Sequence, residues 1–135
     1  MELGFVILYV NDMDKAKAFY SEVLGLTIVE SISSPHFVTF RSQAGSLLSL
    51  QDNAMAKFPP KLETQGGSIE VSFAVDDVDS TWKHWKESGV NMVSEPEDLP
   101  FGRYFMAKDP DGHYLSVYRF AKQPVIAPQN ALQAN

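Results

Sequence analysis

The sequence predicts an α+β fold of two tandem βαβββ modules forming a cupped mixed sheet with the helices on its outer face. Three observations predict it. Apolar runs rich in β-branched and aromatic residues alternate with helical stripes in the same order in each half: strand, helix, strand, strand, strand. The halves match at a nearly fixed offset, pairing Asp12 with Asp77, Asp14 with Asp79, Glu22 with Glu87 and Gly25 with Gly89. The terminal hairpin also has an earlier echo, since aligning Gly45 with Gly112 places Leu48 over Leu115, Ser49 over Ser116 and Leu50 over Val117. One helix per module covers only one face of its strands, so two such units are expected to curl into a common concave sheet.

The elements follow in order. Phe5–Val10 reads as a strand by propensity and length. Asp12 is placed to cap the next helix, because its carboxylate can accept from the free amides of the first turn. Over Met13–Leu24, Met13, Ala16, Phe19, Tyr20, Val23 and Leu24 recur at helical spacing, and Gly25 follows where a left-handed residue ends a helix. Leu26–Ser31, His36–Ser42 and Ser46–Gln51 read as strands, the first two separated by Ser33-Ser34-Pro35. Asp52–Gly67 holds Pro59, Pro60 and a Gly pair without periodicity and reads as a linker, with one short helical turn near Ala54–Phe58.

The programme then restarts. Ile69–Val75 is a strand, Asp77 a cap, Val78, Thr81, Trp82 and Trp85 a helical stripe, and Gly89 its close. Val90–Ser94 is a strand, and a loop holding Pro96 and Pro100 leads to the strands Tyr104–Lys108 and Tyr114–Tyr118. Between these two strands Asp109-Pro110-Asp111-Gly112 makes a tight turn: proline presets φ, aspartate favours turns, and glycine accepts positive φ. The expected organisation is one domain over 1–120 (module one 4–52, linker 53–67, module two 68–120) and a tail over 121–135, mobile or packed on a neighbour.

Composition narrows the function classes. At 135 residues and 44 % hydrophobic the chain can build a real core, and a formal charge of −6 argues against binding a nucleic-acid backbone. No basic run suits a membrane surface, and residues 1–20 carry no leader pattern, so a cytoplasmic protein is expected. With no cysteine, thiol catalysis and thiolate metal sites are excluded.

The combination of VNDMDKAKAFYSEVLGL with DPDGHYLSVY, over roughly residues 4–120, resembles the vicinal oxygen chelate superfamily, which takes in glyoxalase I, extradiol dioxygenases, and fosfomycin- and bleomycin-resistance proteins. The resemblance implies that metalloenzymes of the family hold a divalent ion at four strand positions. One lies seven residues before each capping Asp and one four residues after each turn Gly, where His, Gln or Glu is usual. Here those positions are Phe5, Ser49, Glu70 and Ser116. Glu70 alone is a strong donor, and such sites need at least three. None of the histidines stands where it could replace a missing ligand: His84 is on the second helix, His113 faces opposite Ser116, and His36 begins another strand. No metal and no other cofactor is therefore expected.

Strand alternation sorts the faces. Val6, Leu8, Val10, Leu48, Leu50, Val71, Phe73, Val75, Leu115 and Val117 form the helix-facing core. The opposite face carries Phe5, Ile7, Tyr9, Leu47, Ser49, Gln51, Glu70, Ser72, Ala74, Tyr114, Ser116 and Tyr118, a mixture of aromatic, hydroxyl and carboxylate groups that suits a ligand cleft. The candidate ligand-binding set is Phe5, Ile7, Ser49, Gln51, Glu70, Ser72, Arg103, Tyr114, Ser116 and Tyr118. Each has a bland counterpart: Glu70 as a solvated group or a partner of Arg103 or Lys108, the serines as space-makers, Arg103 as an ion-paired residue. Without a His/Asp relay, serine nucleophiles are not expected. Asp109 and Asp111 read as turn-formers only.

The leading expectation is a metal-independent small-molecule-binding protein resembling bleomycin-resistance proteins, holding an amphipathic or aromatic ligand in the concave cleft, as a homodimer with no nucleic-acid or membrane partner. The alternative is a glyoxalase-like lyase or isomerase, or a dioxygenase-type metalloenzyme with a degenerate site, in which Glu70 is the catalytic residue if any is. A structural or regulatory partner protein is a third class, and would have a filled cleft.

Overall fold

The computed structural model describes residues 1, 3–57, 69–100 and 102–122. Module one contains β1 (Val6–Val10), α1 (Met13–Ala18), β2 (Thr27–Ile28), β3 (Phe37–Arg41) and β4 (Leu47–Asp52). Module two contains β5 (Glu70–Ala74), α2 (Val78–Glu87), β6 (Asn91–Met92), β7 (Glu97–Leu99), β8 (Gly102–Lys108) and β9 (Tyr114–Phe120). Each module builds its own hydrogen-bonded sheet, in the order β1-β4-β3-β2 and β5-β9-β8-β6, with β7 also paired to β8. The first strand of each module runs parallel to the last, and the other pairs are antiparallel. The α+β fold of two βαβββ modules is therefore present.

Both helices start as their sequences dictate. The Asp12 side chain accepts from the Lys15 amide at 3.1 Å and that of Asp77 from the Ser80 amide at 3.0 Å, each satisfying one orphan donor of the first turn. The first helix continues beyond α1 as a wide π-turn over Phe19–Val23, in which the Leu24 amide reaches the Phe19 carbonyl at 3.1 Å. Adjacent residues Phe19 and Tyr20 are both buried there, with Tyr20 lying 5.9 Å from Phe40 between ring centres.

The helix-facing residues form the core except Val6, which is exposed at the edge of the first sheet. Leu8, Val10, Leu48 and Leu50 pack with Met13, Ala16, Phe19 and Tyr20 in module one; Phe105, Ala107, Leu115 and Val117 pack with Val78 and Trp85 in module two. Trp85 stands perpendicular to Phe105 at 5.4 Å, so this tryptophan is a core residue. Burying each large side chain contributes about 1.5–3 kcal/mol.

Three sequence expectations change. The strands expected over Leu26–Ser31 and Val90–Ser94 shrink to the two-residue β2 and β6, which are edge strands with one partner each. After β2 the chain turns into a 3-10 turn over Glu30–Ile32. The supposed loop between Pro96 and Pro100 contains β7, whose Glu-Asp-Leu sequence has poor strand propensity but pairs with β8, so tertiary pairing overrides the local preference. The helical turn expected near Ala54–Phe58 is a 3-10 turn over Asn53–Met55; Phe58, most of the linker and the tail from 123 lie outside the described residues. Among the described residues no helix is long and apolar enough to cross a membrane.

Candidate functional site

The site is built on the face of the second sheet that α2 does not cover. Cross-strand register arranges it in rows: Glu70, Tyr114 and Lys108; then Ser72, Ser116 and Met106; then Ala74, Tyr118, Tyr104 and Glu97; then Phe120, Gly102 and Leu99. Alternation along β5, β8 and β9 sends these side chains outward, while Val71, Phe73, Phe105, Leu115 and Val117 go to the core. A cavity of about 590 Å³ opens over the rows, lined by Glu70, Ser72, Leu99, Tyr104, Met106, Ser116, Tyr118 and Phe120. A second, of about 760 Å³, shares Glu70, Ser72 and Tyr118 with it. This second cavity runs between the β5 edge and module one, along Val6, Leu26, the Ser42–Ser46 turn, Leu47 and Leu48.

Glu70 is exposed, and among the described residues its carboxylate forms no hydrogen bond or ion pair. Neither pairing considered from the sequence is made: Lys108 sits over the Tyr114 ring at 5.0 Å, and Arg103 is engaged elsewhere. Ser116 Oγ donates to Ser72 Oγ at 2.7 Å. The Tyr104 hydroxyl is held above its usual pKa first by its hydrogen bond to Glu97, then by partial burial and the charges of Glu97 and Glu70. Tyr118 and Phe120 meet edge-to-face at 4.9 Å.

Of the residues singled out in the sequence, Glu70, Ser72, Ser116 and Tyr118 come together here, and Tyr114 adjoins them in the Glu70 row. Phe5, Ile7, Ser49 and Gln51 belong to the first sheet and line neither cavity. Phe5 and Ile7 are exposed, with Phe5 edge-on to Phe37 at 6.3 Å; Ser49 is fully buried with its hydroxyl 2.7 Å from that of Thr39. Gln51 donates through Nε2 to the carbonyls of Asp52 at 2.9 Å and His36 at 3.3 Å. Arg103 stands apart. It points from the other face of β8 toward the start of α2, bonding Asp79 through Nε and Nη2 at 2.9 Å each and Asp98 through Nη1 at 3.0 Å. Those hydrogen bonds hold the Asp79 carboxyl below its ordinary pKa.

The sequence reading missed Tyr104, Met106, Leu99 and Phe120. The first two were legible: a hairpin centred on the Asp109–Gly112 turn puts Tyr104 opposite Tyr118 and Met106 opposite Ser116. Leu99 depended on β7 and could not be placed without it.

Asp109 was also under-read. Its Oδ1 accepts from the amides of Asp111 at 2.9 Å and His113 at 2.8 Å, which fixes the turn. Its Oδ2 lies 2.7 Å from both the Tyr20 hydroxyl and His113 Nδ1, all three groups buried. Asp109 thus links the first helix to the last hairpin, and Asp111 adds a 2.8 Å bond from the Asn11 amide.

The donor set does not fit a divalent cation at the four strand positions named above. Phe5 offers no donor atom, and the Ser49 and Ser116 hydroxyls are each committed to a neighbouring hydroxyl. A lone carboxylate remains, short of the three or more protein ligands such ions take. Among the described residues no group of three His, Asp or Glu side chains stands close enough to hold a metal.

A family model described as Glyoxalase/Bleomycin resistance protein/Dioxygenase superfamily matches residues 2–117. The chain is 25 % identical over 114 residues to the phenazine antibiotic resistance protein EhpR of Enterobacter agglomerans, a match covering 82 % of this chain and 86 % of that one. Among solved structures, protein ATC0852 of Agrobacterium tumefaciens superposes with a TM-score of 0.77 at 38 % identity, covering 90 % of this chain and 99 % of the other. TnmS3, an antibiotic-binding protein from a Streptomyces species, superposes with a TM-score of 0.71 at 27 % identity, covering 90 % and 97 %.

Proposed function

The chain belongs to the glyoxalase/bleomycin resistance protein/dioxygenase superfamily, and we propose that it is a member that binds an amphipathic or aromatic small molecule in its concave face without a metal ion. The observation that carries this reading is the pairing of Ser49 with Thr39 and of Ser116 with Ser72. Two positions that would ligate a cation in a metalloenzyme are spent on internal hydrogen bonds, and the face around them is lined by rings. Apolar area supplies affinity and a few polar groups supply orientation, the usual composition of a small-molecule site. The antibiotic-binding description of TnmS3 and the phenazine-resistance description of EhpR support the same class of ligand.

The working form is a homodimer. Among the described residues β1 and β5 are both unpaired sheet edges, and Phe5, Val6, Ile7 and Ile69 on or beside them are exposed apolar residues. In this proposal a second copy covers these edges and sets Phe5, Ile7 and Gln51 of one chain toward Glu70, Ser72 and Tyr118 of the other, extending the cleft that one chain already forms between its modules.

Isothermal titration with planar aromatic compounds, phenazine among them, tests the proposal. Saturable heat that persists in a chelator and is weakened about tenfold or more by Tyr118→Ala supports it. Binding that requires an added divalent metal, or that ignores Tyr118→Ala, overturns it.

A further inference from the structure

The charge and ring content of the second sheet's cavity point to a narrower ligand class: we infer that the cavity over β5, β8 and β9 selects an organic cation, a protonated or quaternary amine carried on an apolar body. The inference rests on the binding reading above and deepens it. Tyr104, Tyr118 and Phe120 present three rings around one opening of about 590 Å³, with Glu70 at its edge. Ring faces carry the negative end of the aromatic quadrupole and attract a cation placed over them. Glu70 adds a carboxylate that forms no ion pair with any of the described residues. Glu97 lies next in the Tyr104 row and holds that phenol by a hydrogen bond. Lys108, a cation in the same row as Glu70, is placed over the neighbouring Tyr114 ring at 5.0 Å and forms no ion pair with Glu70.

The selection follows from what a ligand does to Glu70. A molecule filling the cavity displaces water from the side of this carboxylate that borders the opening. A neutral or anionic ligand leaves the charge desolvated and unpaired, which is costly. A cation replaces the lost water with a charge-assisted contact and gains the ring faces as well. Ser72 keeps its own hydroxyl hydrogen while accepting from Ser116, so one neutral donor is left to orient a carbonyl or ether on the same ligand.

Three acridines of nearly constant ring shape test the point on the full chain at pH 8 and low salt: the cation 9-aminoacridine, neutral acridine and the anion acridine-9-carboxylate, followed by fluorescence titration. The expected order is 9-aminoacridine tighter than acridine by about tenfold or more, with the carboxylate weakest. Glu70→Gln is expected to reduce that preference to about twofold, weakening 9-aminoacridine and tightening acridine, and Glu22→Gln, which removes the same charge from an exposed helix position, is expected to leave the preference intact. If acridine binds as tightly as 9-aminoacridine, and both are weakened by Tyr118→Ala, the cation inference fails while the cleft reading survives. If the preference survives Glu70→Gln or is lost equally in Glu22→Gln, it reflects overall charge and the inference also fails. If none of the three binds, both readings fall.

Discussion

Replacing Tyr20 by Phe removes a single oxygen from the buried junction between the first helix and the last hairpin. That oxygen donates to Asp109 Oδ2 at 2.7 Å, and the ring is fully buried, so no water can take its place. A hydrogen bond to a charged acceptor contributes about 1.5–3 kcal/mol. Asp109 keeps the His113 Nδ1 contact on the same oxygen and two backbone amides on the other, so the acceptor is not orphaned. The lower part of the range therefore applies, about 2 kcal/mol, or a fall of about 6–10 °C in melting temperature for a domain of this size. Urea unfolding of the two proteins at pH 7, with unchanged m-values, measures it. A double-mutant cycle with Asp109→Asn is expected to show coupling of about 1 kcal/mol or more. A loss below about 0.5 kcal/mol in Tyr20→Phe, with no coupling, would refute the idea that this contact joins the modules.

The same junction sets a pH dependence. Burial opposes charging His113, but the hydrogen bond and charge of Asp109, with Asp111 adding to them, outweigh it and raise the pKa above the ordinary 6.5. A raised folded value means the stabilisation is complete below about pH 6.5 and is lost as pH rises through the folded pKa, so urea midpoints should fall across that interval and His113→Gln should flatten the change. Gly102→Ala should disrupt the β8–β9 ladder, because a Cβ there would overlap the Arg119 carbonyl oxygen; circular dichroism should show a loss of about 3 kcal/mol or more, and a neutral substitution contradicts the close approach. Arg103→Ala should leave ligand affinity within about twofold of the parent, since the guanidinium is forked between Asp79 and Asp98 off the cleft face, and a tenfold loss by titration would place it in the site instead.

The repeat was legible because its signals are local. Asp12 and Asp77 cap helices, glycines end them, and Asp109–Gly112 turns a hairpin, all through backbone chemistry that sequence displays directly. What escaped is what depends on distant partners. β7 exists because β8 offers it a ladder, and nothing in Glu-Asp-Leu announces that. The Tyr20–Asp109–His113 cluster joins residues far apart in sequence, so Asp109 looked like a turn residue and Tyr20 like ordinary core. Within the site, alternation placed Glu70, Ser72, Ser116 and Tyr118 on one face, but could not tell that Phe5, Ile7, Ser49 and Gln51 belong to another sheet and line neither cavity. Arg103 was drawn in by its place at the entrance of the last hairpin, although its side chain leaves the other face of β8 and bonds Asp79 and Asp98.

Equilibrium dialysis of the full chain against zinc, nickel, manganese and ferrous ions, with bound metal counted by elemental analysis, tests most directly whether ligand capture here proceeds without a metal. At metal concentrations of tens of micromolar, about one hundredth to one tenth of an equivalent or less is predicted, with no change in Glu70→Gln, because only one of the four strand positions carries a strong donor. One equivalent bound tightly, and released by Glu70→Gln, would contradict that account.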